Sequence, residues 1–400
     1  MSRKILFFCN ANVSQPACGG IVRVTGTLAE LFQKQGDDTY LVYYDEIDDA
    51  QPSAHFLARY RLTRHQEEDA LKPILQKHQI DYLILQVPLA NTTFYLLPLL
   101  RQVIDSACPQ CQLIHCIHTI PFAETKGFDV EYIRHNLRQK GNAIWMLKQT
   151  VWGVTCLLSP HGARKLMSKR YQYICRYCDT VVLLSQRFIH YFDQYVPNAK
   201  SKVVAIPNPA TYLPEGVFQS VQKRKEVLFV GRMDESTKRV SKLLKIWEII
   251  EKEYHIDDWK LILVGDGSDK TDYQRYATKH ALNQVSFCGK QDPTPYFQSA
   301  SIIALTSAYE GLSMVLVEGL QHGCIPIAFN TFDSVLDTIT DGRNGAVIPN
   351  NDYKAFAAQL ALWMKQPDSL SSLRAQASSN LKKFDPAAVC QEWNRKVFKK

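Results

Sequence analysis

The stretch Glu310-Gly-Leu-Ser-Met-Val-Leu-Val-Glu318 follows the apolar run Ile302-Ile-Ala-Leu-Thr-Ser307 and sets two carboxylates eight positions apart. An apolar strand, a short loop with Gly311 and Ser313, and an apolar run opening a helix form an anion-binding arrangement. The first amides of a helix have no internal acceptor and carry the positive end of its dipole. With Ser313 near the N-cap, a diphosphate sits against the amides of Leu312, Ser313, Met314 and Val315. Glu310 then lies in the loop beside that anion, and Glu318 stands about one turn inside the helix, roughly 5 Å along its axis. One carboxylate is placed for a sugar and the other for a ribose. An ordinary βα unit with two solvated glutamates is the competing reading.

Outward from this stretch, short apolar runs alternate with helical patterns along the whole chain. In the first half they are Ile5 to Cys9, Tyr40 to Tyr44, Tyr82 to Val87, Leu113 to Ile117, Val181 to Leu184 and Val203 to Ile206. In the second they are Val227 to Val230, Leu261 to Val264, Val285 to Cys288, Ile302 to Leu305, Ile325 to Phe329 and Ala346 to Ile348. Such runs between helices predict buried parallel strands, so the chain reads as α/β with two doubly wound domains, the ligand between them. Pro207-Asn-Pro209 to Pro214-Glu-Gly216, followed by the polar Gln219 to Lys225, predicts the linker. The first domain is placed at 1–209 and the second at 210–385. Val389, Trp393 and Val397 mark an amphipathic helix at 386–400.

Four hundred residues, 46% of them hydrophobic, suffice for two cores. No apolar run reaches the ~20 residues that cross a bilayer, and Ile5 to Cys9 is too short for a signal-peptide core, so a cytosolic chain is expected. Eleven cysteines, several inside apolar runs, agree with a reducing compartment. Cys108/Cys111 and Cys175/Cys178 have zinc-ligand spacing, but the 63 residues between the pairs contain strand and helix patterns, and packed thiols are the simpler reading.

Both halves open with a strand and a glycine-bearing loop. Cys18-Gly-Gly20 permits close backbone approach before a helix. Gly231-Arg232-Met-Asp-Glu-Ser-Thr-Lys238-Arg239 brings cations to a strand's carboxyl end, where open α/β sheets bind ligands. An arginine fork and a lysine point charge there suit a pair of phosphates. Leu263-Val-Gly-Asp-Gly267 is a tight turn after a strand. His118 also follows a strand, in position for a polar role at the ligand. No Asp-x-Asp follows a buried strand, so no metal is invoked, and the charge of a leaving diphosphate falls to Arg232, Lys238 and helix amides.

The ordered set Gly231-Arg232 with Lys238, Glu310-x7-Glu318 and Asp341-Gly-Arg-Asn-Gly345 resembles family 4 glycosyltransferases of the GT-B fold. The resemblance implies two Rossmann-like domains facing a cleft, a nucleotide-sugar donor held mainly by the second, and transfer with retention and without an essential metal. It implies that Arg232 and Lys238 hold the diphosphate, Glu310 contacts the donor hexose and Glu318 binds the ribose. Gly19 and Gly20 correspond to the loop approaching the donor phosphate, and His118 to the family's histidine near the sugar. It also implies that the last helix returns to the first domain. Ser313-Met314 stands where many relatives carry proline, and Asn330-Thr-Phe-Asp-Ser334 lacks their glycines. Lys290 is a candidate to line the nucleobase.

From Tyr132 to Cys178 there are nine Lys or Arg and no Asp or Glu, against a whole-chain charge of +8. Within it, Ala143 to Leu158 carries Trp145 and Trp152 among aliphatics, flanked by Lys140, Arg164, Lys165, Lys169 and Arg170. This pattern suits an anionic membrane surface; no nucleic-acid recognition fold accompanies it. The combined expectation is a retaining hexosyltransferase, using a UDP-sugar, acting on a lipid-linked glycan in lipopolysaccharide, capsule or exopolysaccharide assembly, at the inner face of the membrane. The rivals are a GDP-sugar or soluble-acceptor transferase and a non-catalytic two-domain sugar-binding protein.

Overall fold

The computed structural model describes residues 2–15, 20–45, 51–52, 55–88, 91–126, 128–129, 132–133, 143–210 and 222–398. They form two compact units: Met1–Pro121 with Arg164–Thr211 and Lys383–Lys400, and Phe122–Ala163 with Tyr212–Lys382. Thr211 to Val221, the larger part of the expected linker, lies outside the described residues.

The first unit holds a seven-stranded parallel sheet: β1 Lys4–Ala11, β2 Asp38–Asp45, β3 Ala58–Arg61, β4 Tyr82–Gln86, β5 Gln112–Ile117, β6 Thr180–Leu183 and β7 Val203–Ala205. Their order is β3-β2-β1-β4-β5-β6-β7. The central strands are apolar over most of their length because helices cover both faces, with Thr39, Gln86 and His115 as buried polar exceptions. Edge strand β3, Ala-Arg-Tyr-Arg, was not legible as an apolar run, since an edge strand needs no fully apolar sequence. Asp385 caps the helix Pro386–Lys396 by accepting from the amides of Ala387 and Ala388. Val389, Trp393 and Val397 of this segment are buried in the first unit's core, where Phe32 meets Trp393 edge-on.

The second unit carries six parallel strands: β8 Arg224–Val230, β9 Lys260–Val264, β10 Val285–Gly289, β11 Ala300–Leu305, β12 Ile325–Phe329 and β13 Ala346–Ile348. The order β10-β9-β8-β11-β12-β13 reverses direction between β8 and β11, which pair through Val227 with Ile302 and Leu228 with Ile303. Trp247, Trp259 and Phe356 fill the core beside Phe229, Leu263 and Ile302.

The basic stretch is divided: its residues up to Ala163 cluster with the second unit and those from Arg164 with the first. Within the second unit, Asp129 pairs with Arg239 and, at 2.9 Å, with Lys242; both cations are almost fully buried. Burial opposes the charged carboxylate, yet the Arg239 charge and the Lys242 bond hold its pKa below the ordinary value.

Candidate functional site

A parallel sheet places ligands where its strand order reverses, outside the carboxyl ends of the strands. In the second unit this point lies between the loop after β8, containing Gly231 to Arg239, and the loop after β11, containing Thr306 to Ser313. The two loops are stitched together. Ala308 N donates to Thr237 O at 2.7 Å, and Thr306 Oγ1 donates to Arg239 O at 3.0 Å. Lys238 Nζ reaches Glu310 Oε1 at 2.6 Å, with the two side chains 13% and 14% exposed. Ser307 Oγ donates to the same oxygen at 2.7 Å, and Thr331 Oγ1 donates to Ser307 O at 2.6 Å. Lys238 and Glu310, expected separately at phosphate and sugar, thus form one partly desolvated ion pair.

Ser313 is the N-cap of the helix Met314–Gln321, with extended backbone angles. Leu316 N and Val317 N donate to Ser313 O at 3.1 and 3.3 Å, so the amides of Met314 and Val315 open the helix with no preceding turn to donate to. Ser313 Oγ is buried and, among the described residues, has no hydrogen-bond partner. A buried hydroxyl without a partner is costly, which makes the position a receptive one for a polar ligand. Leu312 and Met314 are buried and Val315 half-buried, giving these amides apolar surroundings. Glu318 is buried one turn further along.

Arg232 is exposed and lies 3.7 Å from Asp234. It is therefore less constrained than Lys238. Lys290, just past β10, is exposed. The Gly-Asp-Gly turn after β9 backs the Arg232 loop: Met233 N donates to Asp266 O at 2.8 Å and Glu235 N to Asp269 Oδ2 at 2.9 Å. A Cβ on Gly265 would stand 1.8 Å from Gly231 O, so the close approach requires glycine there. In Asp341 to Gly345, buried Asn344 accepts from Thr340 N and donates to Thr338 O. That motif shapes a turn.

In the first unit, strand order reverses between β1 and β4. Gly19 lies outside the described residues; Gly20 is exposed and opens the helix Gly20–Lys34. His118 is half-buried after β5, and its Nε2 is hydrogen-bonded to Oε1 of Gln86, the last residue of β4. Burial, with a smaller contribution from His115, pushes the His118 pKa down to about 3, so the ring is neutral at ordinary pH. Gln86 Nε2 and both ring nitrogens of His115 are buried with no partner among the described residues. Reading by motif missed Gln86 and Ser307. The one available signal for Gln86 was an amide ending the otherwise apolar Tyr82-Leu-Ile-Leu run.

The Tyr132 to Cys178 expectation changes in detail. Lys140 and the side chain of Trp145 lie outside the described residues. Trp152 is not presented to solvent as a membrane anchor: it is half-buried, and its indole Nε1 donates to Glu124 O at 2.8 Å. Among the described residues no helix is long and apolar enough to cross a membrane.

Residues 216–384 match the family described as glycosyl transferases group 1. The Amylovoran biosynthesis glycosyltransferase AmsD of Erwinia amylovora is 30% identical over 175 residues, 43% of this chain and 48% of that protein. The Campylobacter jejuni GalNAc-alpha-(1->4)-GalNAc-alpha-(1->3)-diNAcBac-PP-undecaprenol alpha-1,4-N-acetyl-D-galactosaminyltransferase is 26% identical over 219 residues, 54% of this chain and 59% of that protein. The matched stretches thus span about half the length of these curated relatives. A crystal structure of a Staphylococcus aureus TarM mutant in complex with fondaparinux, alpha-GlcNAc-glycerol and UDP superposes with a TM-score of 0.72 at 12% identity, covering 98% of this chain and 99% of that one. The chain has the GT-B fold of two Rossmann-like units, and its second unit is similar in sequence to the glycosyltransferases of group 1.

Proposed function

We propose that the protein is a retaining glycosyltransferase that moves a hexose from a UDP-sugar to a lipid-linked glycan during cell-surface polysaccharide assembly. The observation that carries this reading is the Lys238–Glu310 pair beside the opening amides of the helix Met314–Gln321 and the unpartnered Ser313 hydroxyl. A cation, free amides and a hydroxyl converge at one switch point, while a carboxylate stands among them. That set suits a diphosphate bonded to a polyhydroxylated ring. Arg232, Lys238 and the amides of Leu312 to Val315 take the diphosphate, Glu310 the hexose and Glu318 the ribose, with Lys290 at the base. For Gly19, Gly20 and His118 of the first unit, the roles proposed are those the family resemblance implies.

The acceptor hydroxyl attacks from the face the diphosphate leaves, and the departing phosphate oxygen takes its proton. Catalysis is then positioning plus stabilisation of the leaving charge, which cations and amides supply without a metal. The relatives support the acceptor class: one is named for amylovoran biosynthesis and another for a PP-undecaprenol substrate. TarM's complex with UDP supports the donor. A peripheral position on the cytoplasmic face follows from that acceptor.

Thermal shift across a panel of nucleotide sugars tests the donor, because a ligand bound only by the native state raises the melting temperature. Hydrolysis of UDP-hexose without acceptor separates an enzyme from a binder. A shift with no hydrolysis and no transfer to any lipid-linked acceptor would overturn the reading.

A further inference from the structure

Arg239 is the N-cap of the helix Val240–Lys252 and sits in the left-handed region, with φ 52° and ψ 49°. An L-residue is strained there where glycine is not, and such strain persists only when the surroundings hold it. The backbone is held on both sides. Arg239 N donates to Asp234 O at 3.1 Å, and Arg239 O accepts from Thr306 Oγ1 and from Lys242 N, each at 3.0 Å. None of these bonds needs a side chain at 239, so they do not account for an arginine in place of glycine.

The side chain does. Arg239 is 2% exposed, and its Nη1 donates to Oδ2 of Asp129; the same oxygen accepts from Nζ of Lys242, itself 1% exposed, at 2.9 Å. The other carboxylate oxygen, Oδ1, accepts from Tyr132 N at 2.8 Å, which orients the carboxylate. The Tyr132 ring centroid lies 5.7 Å from the Arg239 guanidinium, and Lys242 is tied in turn to Asn351 Oδ1. A carboxylate that accepts three bonds and faces two buried cations is a rigid anchor, because releasing it leaves charge unpaired in a low dielectric.

Lys238 precedes Arg239 in the chain, and its side chain goes to a different anchor, Glu310, at 2.6 Å. The peptide joining the two residues is therefore fixed from both ends, and any change in the Arg239 turn swings Lys238. Thr306 Oγ1 lies across the same peptide, 3.3 Å from Lys238 O and 3.0 Å from Arg239 O. Asp129 stands 110 positions earlier in the chain than Arg239, so the place of the Lys238 ammonium depends on a residue outside its own loop.

We infer that Asp129 is a positioning residue for donor binding: through Arg239 it fixes the turn from which Lys238 reaches the diphosphate. The inference rests on the reading that Lys238 meets that diphosphate. A clasp that only secured the Asp129 segment to the second unit would raise stability without touching affinity. A positioning residue sets the affinity that Lys238 delivers.

A double-mutant cycle on UDP affinity, read by calorimetry on folded protein, tests this. Asp129→Asn removes the anchor but leaves two buried cations without their anion, so Arg239→Gly is the principal variant. It keeps one cation facing the carboxylate and places at 239 the residue suited to a left-handed turn. Its melting temperature should stay close to that of the wild type, while UDP affinity falls about tenfold. In a Lys238→Ala background, where UDP affinity is reduced, Arg239→Gly should change it by less than about twofold, since the lysine it positions is gone. Asp129→Asn, measured well below its melting temperature, should show the same dependence on Lys238. Equal losses in the two backgrounds, or wild-type affinity in Arg239→Gly, would overturn the inference and reduce the cluster to a clasp. UDP affinity unaffected by Lys238→Ala would instead overturn the donor-site reading, and the inference with it.

Discussion

Lys238 Nζ lies 2.6 Å from Glu310 Oε1, an ion pair joining the loops after β8 and β11 at the switch point of the second unit. Ser307 donates to the same oxygen, so the carboxylate is held from two sides. A bound diphosphate would compete with Glu310 for the lysine, and the released carboxylate would face the sugar. The two residues are therefore coupled, and their variants should not behave as independent losses.

Lys238→Ala should lower turnover by a hundredfold or more, roughly 2.7 kcal/mol of leaving-charge stabilisation. Single-turnover kinetics on a folded variant checks this. Turnover equal to wild type would remove Lys238 from the site.

Glu310→Gln should impair transfer while UDP affinity is held or tightened, because the ion pair that competes for Lys238 is gone. Glu318→Gln should weaken free UDP directly. Calorimetry decides; equal losses of UDP affinity in the two variants would contradict the division of roles.

Asp129 joins buried Arg239 and Lys242, and Asp129→Asn leaves both cations without their anion. The variant should lose about 3–5 kcal/mol at pH 7. The folded-state pKa of Asp129 is lowered, so its stabilisation is complete above the unfolded value of about 3.9 and is lost as pH falls through the folded one. Urea melts from pH 7 downward should show wild type and variant converging below about pH 4. A gap that stays constant with pH would show that packing, not charge, holds this segment.

His118 should remain neutral between pH 8 and 5, because burial and His115 hold its pKa at about 3. Below pH 6.5 the unfolded chain takes up the proton first, so this histidine should subtract stability progressively as pH falls toward 3. Nitrogen-15 NMR of the ring reads the protonation directly. Gln86→Leu removes the partner of Nε2 and should mix the two tautomers in that spectrum, slowing transfer about tenfold through misorientation. A ring titrating near 6.5 in the wild type would contradict the buried assignment.

The amino-acid sequence determined the strands and their class. All twelve apolar runs sit in parallel strands, because a strand covered on both faces must be apolar over most of its length, and that pattern is local. Edge strand β3 escaped, being only half-buried and rich in arginine. Lys238 and Glu310 were each legible from loop position, yet the bond between them was not. It depends on β8 and β11 being neighbours although 69 residues separate Val230 from Ala300 in the chain, a fact of sheet order. The same holds for Gln86 and His118, which meet only because β4 and β5 pair. Local sequence likewise marked the cationic, Trp-bearing stretch, but orientation was decided by tertiary contacts: Glu124 and Phe128 claim the Trp152 face and leave Leu147 and Leu158 to solvent. Periodicity records which residues share a face. Which face is covered depends on what the rest of the chain packs against it.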